Sequence, residues 1–350
     1  MQRNLLLLQL SKILDRGVFM AKKIAGQAGG LVTAGGEVSC PDDLTFDYTK
    51  LQQDLQEEIS SRFAPKKVQS RRLASVYRSI GLFGRYKRVF ECGSFLEFGF
   101  TAAGEKKLLR ASFCRDRLCP YCNWRRSLKV YSQVSQVMDV LEASGLEFIF
   151  LTFTVRNCPS SSFPATIDAL LTGWYNLYHH CRPVIRICEG SVRALEVTVN
   201  RDNGTYHPHL HVVLAVKPEY FTGKNYLTQA DWTRLWQAAC NLSYRPIVDV
   251  RKVIDLKDGF KEVAKYAVKG SDFLVGSSAD MKQHVQTFLA GLSGRRLCGF
   301  TGCFSKVRKV LNLDDPETGD LVVTDGQQLR SDLCTMIVRY QWRSGVYVRL

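Results

Sequence analysis

The sequence predicts an α+β fold: a ferredoxin-like antiparallel sheet core with helices on one side, preceded by a basic, cysteine-rich N-terminal lobe. Three observations predict it. From about residue 146 the apolar pattern runs strand, helix, strand, strand, helix, strand, helix, and its first six elements have the βαββαβ order. Upstream, four cysteines crowd into residues 92–122 beside a run of arginines. The chain has 350 residues, 45% hydrophobic and 23% charged, enough apolar material for a sizeable core.

Each element has a local reason. LEFIFLTFTV (146–155) is rich in β-branched and aromatic residues and predicts a buried strand. ATIDALLTGWYNLYHH (165–180) repeats Ile167, Leu170, Leu171 and Trp174 at helical spacing. VRALEVTVN (192–200) and HPHLHVVLAV (207–216) flank the turn signal RDNGT (201–205) and predict a hairpin. TQADWTRLWQAACN (228–241) opens on a threonine cap and predicts a helix. PIVDVRKVI (246–254) predicts a strand, and GFKEVAKYAVKG (259–270) a helix that stops at a glycine. Before the core, LQQDLQEEISSRF (51–63) predicts a polar, loosely docked helix. After it come strand-like stretches in RLCGFTG, DLVVTDG and MIVRYQWRSGVYV. The expected organisation is a helical or flexible segment over 1–60 and a basic, cysteine-rich DNA-binding lobe over 61–130. The core then spans 146–275, and an extension packs on it over 276–350.

The net charge is +15, which calls for a polyanionic partner, nucleic acid or an anionic membrane surface. Residues 61–90 concentrate it: nine basic residues, no acid, and Tyr77, Phe83, Tyr86 and Phe90 interleaved. Charge with aromatic rings suits phosphates and bases. No apolar run approaches the ~20 residues of a membrane helix. The leucine run near the start is broken by Gln9 and Lys12 and lacks a signal-peptide core. A cytoplasmic protein without a membrane partner is therefore expected, with its twelve cysteines outside any disulfide framework.

His207, His209 and His211 alternate along one predicted strand, so all three imidazoles share a face. Glu196 lies in the paired strand, where a lone buried carboxylate is costly unless partnered. His209 and His211, with Glu196 or His207 as third ligand, form a candidate metal site. Mixed oxygen and imidazole ligands suit Mg²⁺ or Mn²⁺, and three histidines would suit zinc. In the 259–270 helix, Phe260, Val263, Ala264 and Ala267 form the apolar face. Glu262, Tyr266 and Lys269 share a different stripe. Tyr266 can serve as an oxygen nucleophile toward phosphorus, Lys269 as the cation that eases its ionisation, and Glu262 as a base toward water.

Cys114-x4-Cys119-x2-Cys122, with Cys92 upstream, offers four thiolates for a structural zinc, the alternative being unligated thiols. A redox role for CPYC is disfavoured, because no thioredoxin-like unit surrounds it. The remaining cysteines read as small buried hydrophobes, and His179, His180 and His284 as structural.

These residues carry a resemblance. HPHLHVVL resembles the histidine–hydrophobe–histidine motif of HUH endonucleases, and FLTFTVRN and EVAKYAVKGSD resemble their first and third motifs. Together they resemble the single-tyrosine replication initiator (Rep) proteins of rolling-circle plasmids, which have similar cysteines. The resemblance runs from about Cys92 to Lys269, and more weakly through 295–309 and 338–348. It does not extend to the long segment before about residue 60. It implies an HUH-type core and a metal-dependent nickase for single-stranded or hairpin origin DNA. Tyr266 would form a 5′-phosphotyrosyl link and leave a 3′-OH for host helicase and polymerase to use. Glu262 would activate water for the terminating cleavage. The competing readings are an HUH transposase and a non-catalytic, zinc-containing DNA-binding regulator.

Overall fold

The computed structural model describes residues 48–255, 269–326 and 331–350. Glu262, Tyr266 and all but the last two residues of the predicted 259–270 helix lie outside the described residues.

The described chain begins with α1 (Tyr48–Glu58), which runs through a π turn (Ile59–Phe63) into α2 (Ala64–Ser79) and α3 (Phe83–Glu91). Next come β1 (Phe95–Phe100), β2 (Lys106–Ala111) and the long α4 (Pro120–Ala143). The predicted core follows as β3 (Glu147–Thr154), α5 (Phe163–His180), α6 (Arg182–Ile187), β4 (Cys188–Asn200), β5 (Thr205–Val216), α7 (Gln229–Ala239) and β6 (Val248–Lys252). The remainder is α8 (Gly270–Phe273), α9 (Ser278–Leu292), β7 (Cys298–Thr301), α10 (Gly302–Val310), β8 (Met336–Arg343) and β9 (Val346–Arg349).

One sheet has the order β6-β3-β5-β4-β7 with every pair antiparallel. Its first four strands therefore stand in the 4-1-3-2 order of a ferredoxin-like sheet, and β7 extends one edge. The β4–β5 turn is made where the sequence asks for it. Asn203 Oδ1 accepts from the Thr205 amide at 3.1 Å, and Gly204 takes a left-handed φ of +64° that a side chain would disfavour. Strand alternation then sorts the core. Leu151, Phe153, Leu210 and Val212 pack with Trp174 of α5 and Trp232 and Trp236 of α7. Phe148, Phe150, Val192 and Val213 point the other way and pack with Val134 and Val137 of α4 and Phe304 of α10.

So the helices within the βαββαβ order lie on one face, as expected, while two helices from outside it cover part of the other. The α4 helix is not evident from the sequence pattern. Its inward side mixes valines with Arg125, Lys129 and Gln133, which blurs the apolar stripe. These polar groups are satisfied by the chain passing over them. Arg125 donates to the carbonyls of Leu321 and Val322 at 2.8 and 2.7 Å, and Lys129 pairs with Asp314. That also explains why DLVVTDG is not a strand: its carbonyls face arginine, not a neighbouring strand.

The second sheet, β2-β1-β8-β9, belongs to the cysteine-rich lobe and is completed by the end of the chain. The helix preceding it is not loosely docked: Leu55, Ile59 and Phe63 are buried, with Phe63 edge-on to Phe98 and Trp124. No helix among the described residues is long and apolar enough to cross a membrane.

A histidine–glutamate centre and a four-cysteine cluster

The β4–β5 register sets Glu196 opposite His209, Thr198 opposite His207 and Ala194 opposite His211. Glu196 thus reaches between two imidazoles. Its Oε2 lies 2.9 Å from His211 Nε2 and 3.5 Å from His209 Nε2, and its Oε1 accepts from Lys269 Nζ at 2.8 Å. All three site residues on the strands are buried. Burial alone would raise the Glu196 carboxyl, but the hydrogen bonds that His209 and His211 give when the Nε2 atoms facing it are protonated, with the hydrogen bond and charge of Lys269, hold it well below the usual carboxylate range.

The other ring nitrogens are occupied. His209 Nδ1 lies 3.2 Å from the His207 carbonyl, which can only accept, so Nδ1 carries the proton and a neutral ring leaves Nε2 bare. His211 Nδ1 is 3.2 Å from Thr152 Oγ1 on β3, and Phe150 stacks on the same ring. A bare nitrogen and a carboxylate oxygen facing each other are two acceptors, an arrangement that a cation between them resolves. One ligand atom each from Glu196, His209 and His211 falls within 4.8 Å of the others. His207 is not in this group. It is half-buried, its ring 5.3 Å from that of His209, and burial followed by the His209 charge pulls its pKa down. Between the two candidates for a third ligand, the geometry brings Glu196 to the pair. Thr152 was missed, although the alternation of β3 places it on the face of the histidines.

The four predicted cysteines also meet. Cys92 Sγ is 3.5 Å from Cys122 and 3.6 Å from Cys119, and Cys114 is 3.7 Å from Cys122. A tetrahedron with metal–sulfur bonds of about 2.3 Å has edges of about 3.8 Å, so the spacing fits four thiolates around one zinc and is far too long for disulfides. CPYC is not a free-standing knuckle: Cys119 is the N-cap of α4, Pro120 its first residue, and Cys122 sits in its first turn. The Cys92 turn is held by Lys67, whose buried ammonium donates to the carbonyls of Phe90 and Cys92 and to Ser94 Oγ at 2.7–2.8 Å. Burial, then the charge of Arg71, pulls Lys67 down to about 8, still above neutrality. Nothing in the local pattern sets this internal lysine apart from the other cations of the basic run.

The sheet thus carries paired histidines beside a glutamate, in a basic chain with a separate four-cysteine lobe, the composition of a metal-assisted protein that acts on a polyanion. The sequence profile of the replication-protein family matches residues 105–348. The chain is 37% identical over 282 residues to Protein rep of Streptococcus pneumoniae, covering 78% of this chain and 87% of that one. It is 36% identical over 277 residues to Protein rep of Lentilactobacillus hilgardii, covering 76% and 87%. A Replication protein of Staphylococcus aureus is 29% identical over 232 residues, covering 63% and 96%. No solved structure matches. The chain belongs to the Rep family of plasmid replication initiators.

Proposed function

We propose that this Rep protein starts replication in the cytoplasm by cutting one strand of its origin and joining the new 5′ end to Tyr266. The carrying observation is the pairing of Lys269 with Glu196 at 2.8 Å. Tyr266 precedes Lys269 by three residues, so chain connectivity alone keeps their Cα atoms within about 11 Å.

In this reading the Tyr266 oxygen attacks the scissile phosphorus and gives up its proton. The bond from phosphorus to the 3′ oxygen breaks, and that oxygen takes a proton and leaves as the 3′-OH that primes synthesis by host enzymes. Glu196, His209 and His211 would hold Mg²⁺ or Mn²⁺, which polarises the phosphate and offsets its charge when bound. Lys269 adds a cation beside the same phosphate. His211 and His209 keep their Nε2 atoms aimed at the site because Thr152 and the His207 carbonyl hold the opposite nitrogens. Glu262, four residues before Tyr266 in the sequence, would take a proton from water when the link is later released. Cys92, Cys114, Cys119 and Cys122 would hold a structural zinc that serves folding, not chemistry.

The test is a denaturing gel after incubation with single-stranded origin DNA and Mn²⁺. A covalent adduct is expected that disappears with chelator and in Tyr266→Phe. An adduct that survives in Tyr266→Phe would show that another residue is the nucleophile.

A further inference from the structure

The basic run over residues 61–90 does not form one undifferentiated surface. Folding divides it. Lys67 is internal, Arg85 pairs with the buried Asp116 at 2.6 Å, and Arg71 lies over the Phe90 ring at 3.3 Å. Arg72 and Arg78 on α2 and Lys87 and Arg88 on α3 stay exposed, with no carboxylate partner among the described residues.

The two helices are joined by three residues, Ile80, Gly81 and Leu82. The Leu82 amide donates to the Tyr77 carbonyl at 2.8 Å and the Gly81 amide to the Arg78 carbonyl at 3.2 Å, a Schellman ending that needs the left-handed φ of +78° found at Gly81. The helices pack on each other, and their relative angle is locked by one carboxylate. Asp116 accepts from Tyr77 Oη of α2 at 2.9 Å and from Arg85 of α3, and its Oδ1 also accepts from the Leu118 amide at 2.9 Å. Lys67 ties α2 to the end of α3 a second time. The cysteine cluster touches both helices: Cys92 directly follows α3, and Cys119 Sγ is 3.3 Å from Ser70 Oγ of α2.

Two helices with a short glycine turn, the second short and basic on its outward side, are the form of a helix-turn-helix. On α3 the exposed residues Phe83, Gly84, Lys87 and Arg88 fall at i, i+1, i+4 and i+5, a single face. Phe83, 59% exposed at the start of the helix, is the apolar residue placed to meet a thymine methyl. At about 1.5 Å per residue the helix is roughly 13 Å long, a fit for the ~12 Å major groove. The α2 helix also borders the catalytic side. A Cβ on Gly270, next to Lys269, would come within 3.1 Å of Gln69.

We infer that α2 and α3 form a helix-turn-helix that docks α3 in the major groove of duplex DNA and so grips double-stranded DNA of the origin. The inference concerns a site separate from the histidine centre and does not depend on the nicking reading.

The test measures fluorescence anisotropy of a randomised duplex of about two helical turns. It uses full-length Tyr266→Phe protein without divalent ions, so that cutting plays no part. The double variant Lys87→Ala, Arg88→Ala is expected to weaken duplex binding at least tenfold and to lower the salt slope by about 2, one unit per lost phosphate contact. Its melting temperature and zinc content should match the parent, because both side chains are exposed. Lys306→Ala, Lys309→Ala removes the same charge from exposed positions of α10 and should leave duplex affinity within about twofold. Unchanged affinity in the α3 variant, an equal loss in the α10 variant, or an equal loss on the matching single strand would each overturn the inference.

Discussion

At the scale of single residues, the histidine centre depends on which atoms face each other. Glu196 is the only group that reaches both His209 and His211 among the described residues, and it does so as a carboxylate held ionised by its neighbours. Glu196→Gln keeps the shape and removes the charge. Mn²⁺ binding followed by calorimetry or spin resonance should weaken by at least about tenfold, the scale of losses when metal-supporting groups change. His209→Ala should do the same. His207→Ala should cost less than about threefold, because its ring stands outside the three-atom group. If His207→Ala costs as much as His209→Ala, the third ligand is His207 and not Glu196.

At the scale of elements, the sequence was most legible where one rule acted alone. The β4–β5 hairpin follows from alternation and an Asn-Gly turn, and that register alone sets Glu196 against His209. The α7 helix starts where the Thr228 cap predicts, with Asp231 completing a capping box. Legibility failed where tertiary partners overrode local pattern. The α4 helix hides because its buried arginines and Lys129 are paid by carbonyls and carboxylates some 190 residues later. Lys67 reads as one more surface cation, although it satisfies three acceptors inside the cysteine lobe. Lys67→Met keeps the length and removes every donor, leaving those acceptors buried and unmet. Urea unfolding should show a loss on the order of 3 kcal/mol, far above that of an exposed lysine such as Lys87→Met. A loss below about 0.5 kcal/mol, the usual scale for surface changes, would mean that the Cys92 turn does not lean on Lys67.

At the scale of the whole molecule, the chain closes on itself. Its last two strands do not extend the five-stranded sheet but complete the other one, where β1 pairs with β2 on one side and β8 on the other. The closing hairpin also holds the cysteine lobe at its turn. The Tyr347 hydroxyl donates to the Gly93 carbonyl at 2.6 Å and lies 3.1 Å from Tyr121 Oη, while the Trp342 amide donates to the Ser94 carbonyl at 2.8 Å. Gly93 and Ser94 directly follow Cys92, so the last hairpin fixes a thiol about 250 residues earlier in the chain. Without β8 and β9, β1 would become an edge, and Phe98 would lose the edge-on contact with Tyr340. A chain that ends at Thr335 should therefore lose much of the zinc expected for one four-thiolate site, as read by a colorimetric chelator after denaturation. The five-stranded sheet draws none of its strands from that hairpin, and Mn²⁺ binding at Glu196, His209 and His211 should persist in the same protein. Loss of zinc with Mn²⁺ retained would show two centres with separate structural supports. Loss of both together would show that the two sheets fold as one cooperative unit, with the C-terminal hairpin as the clasp.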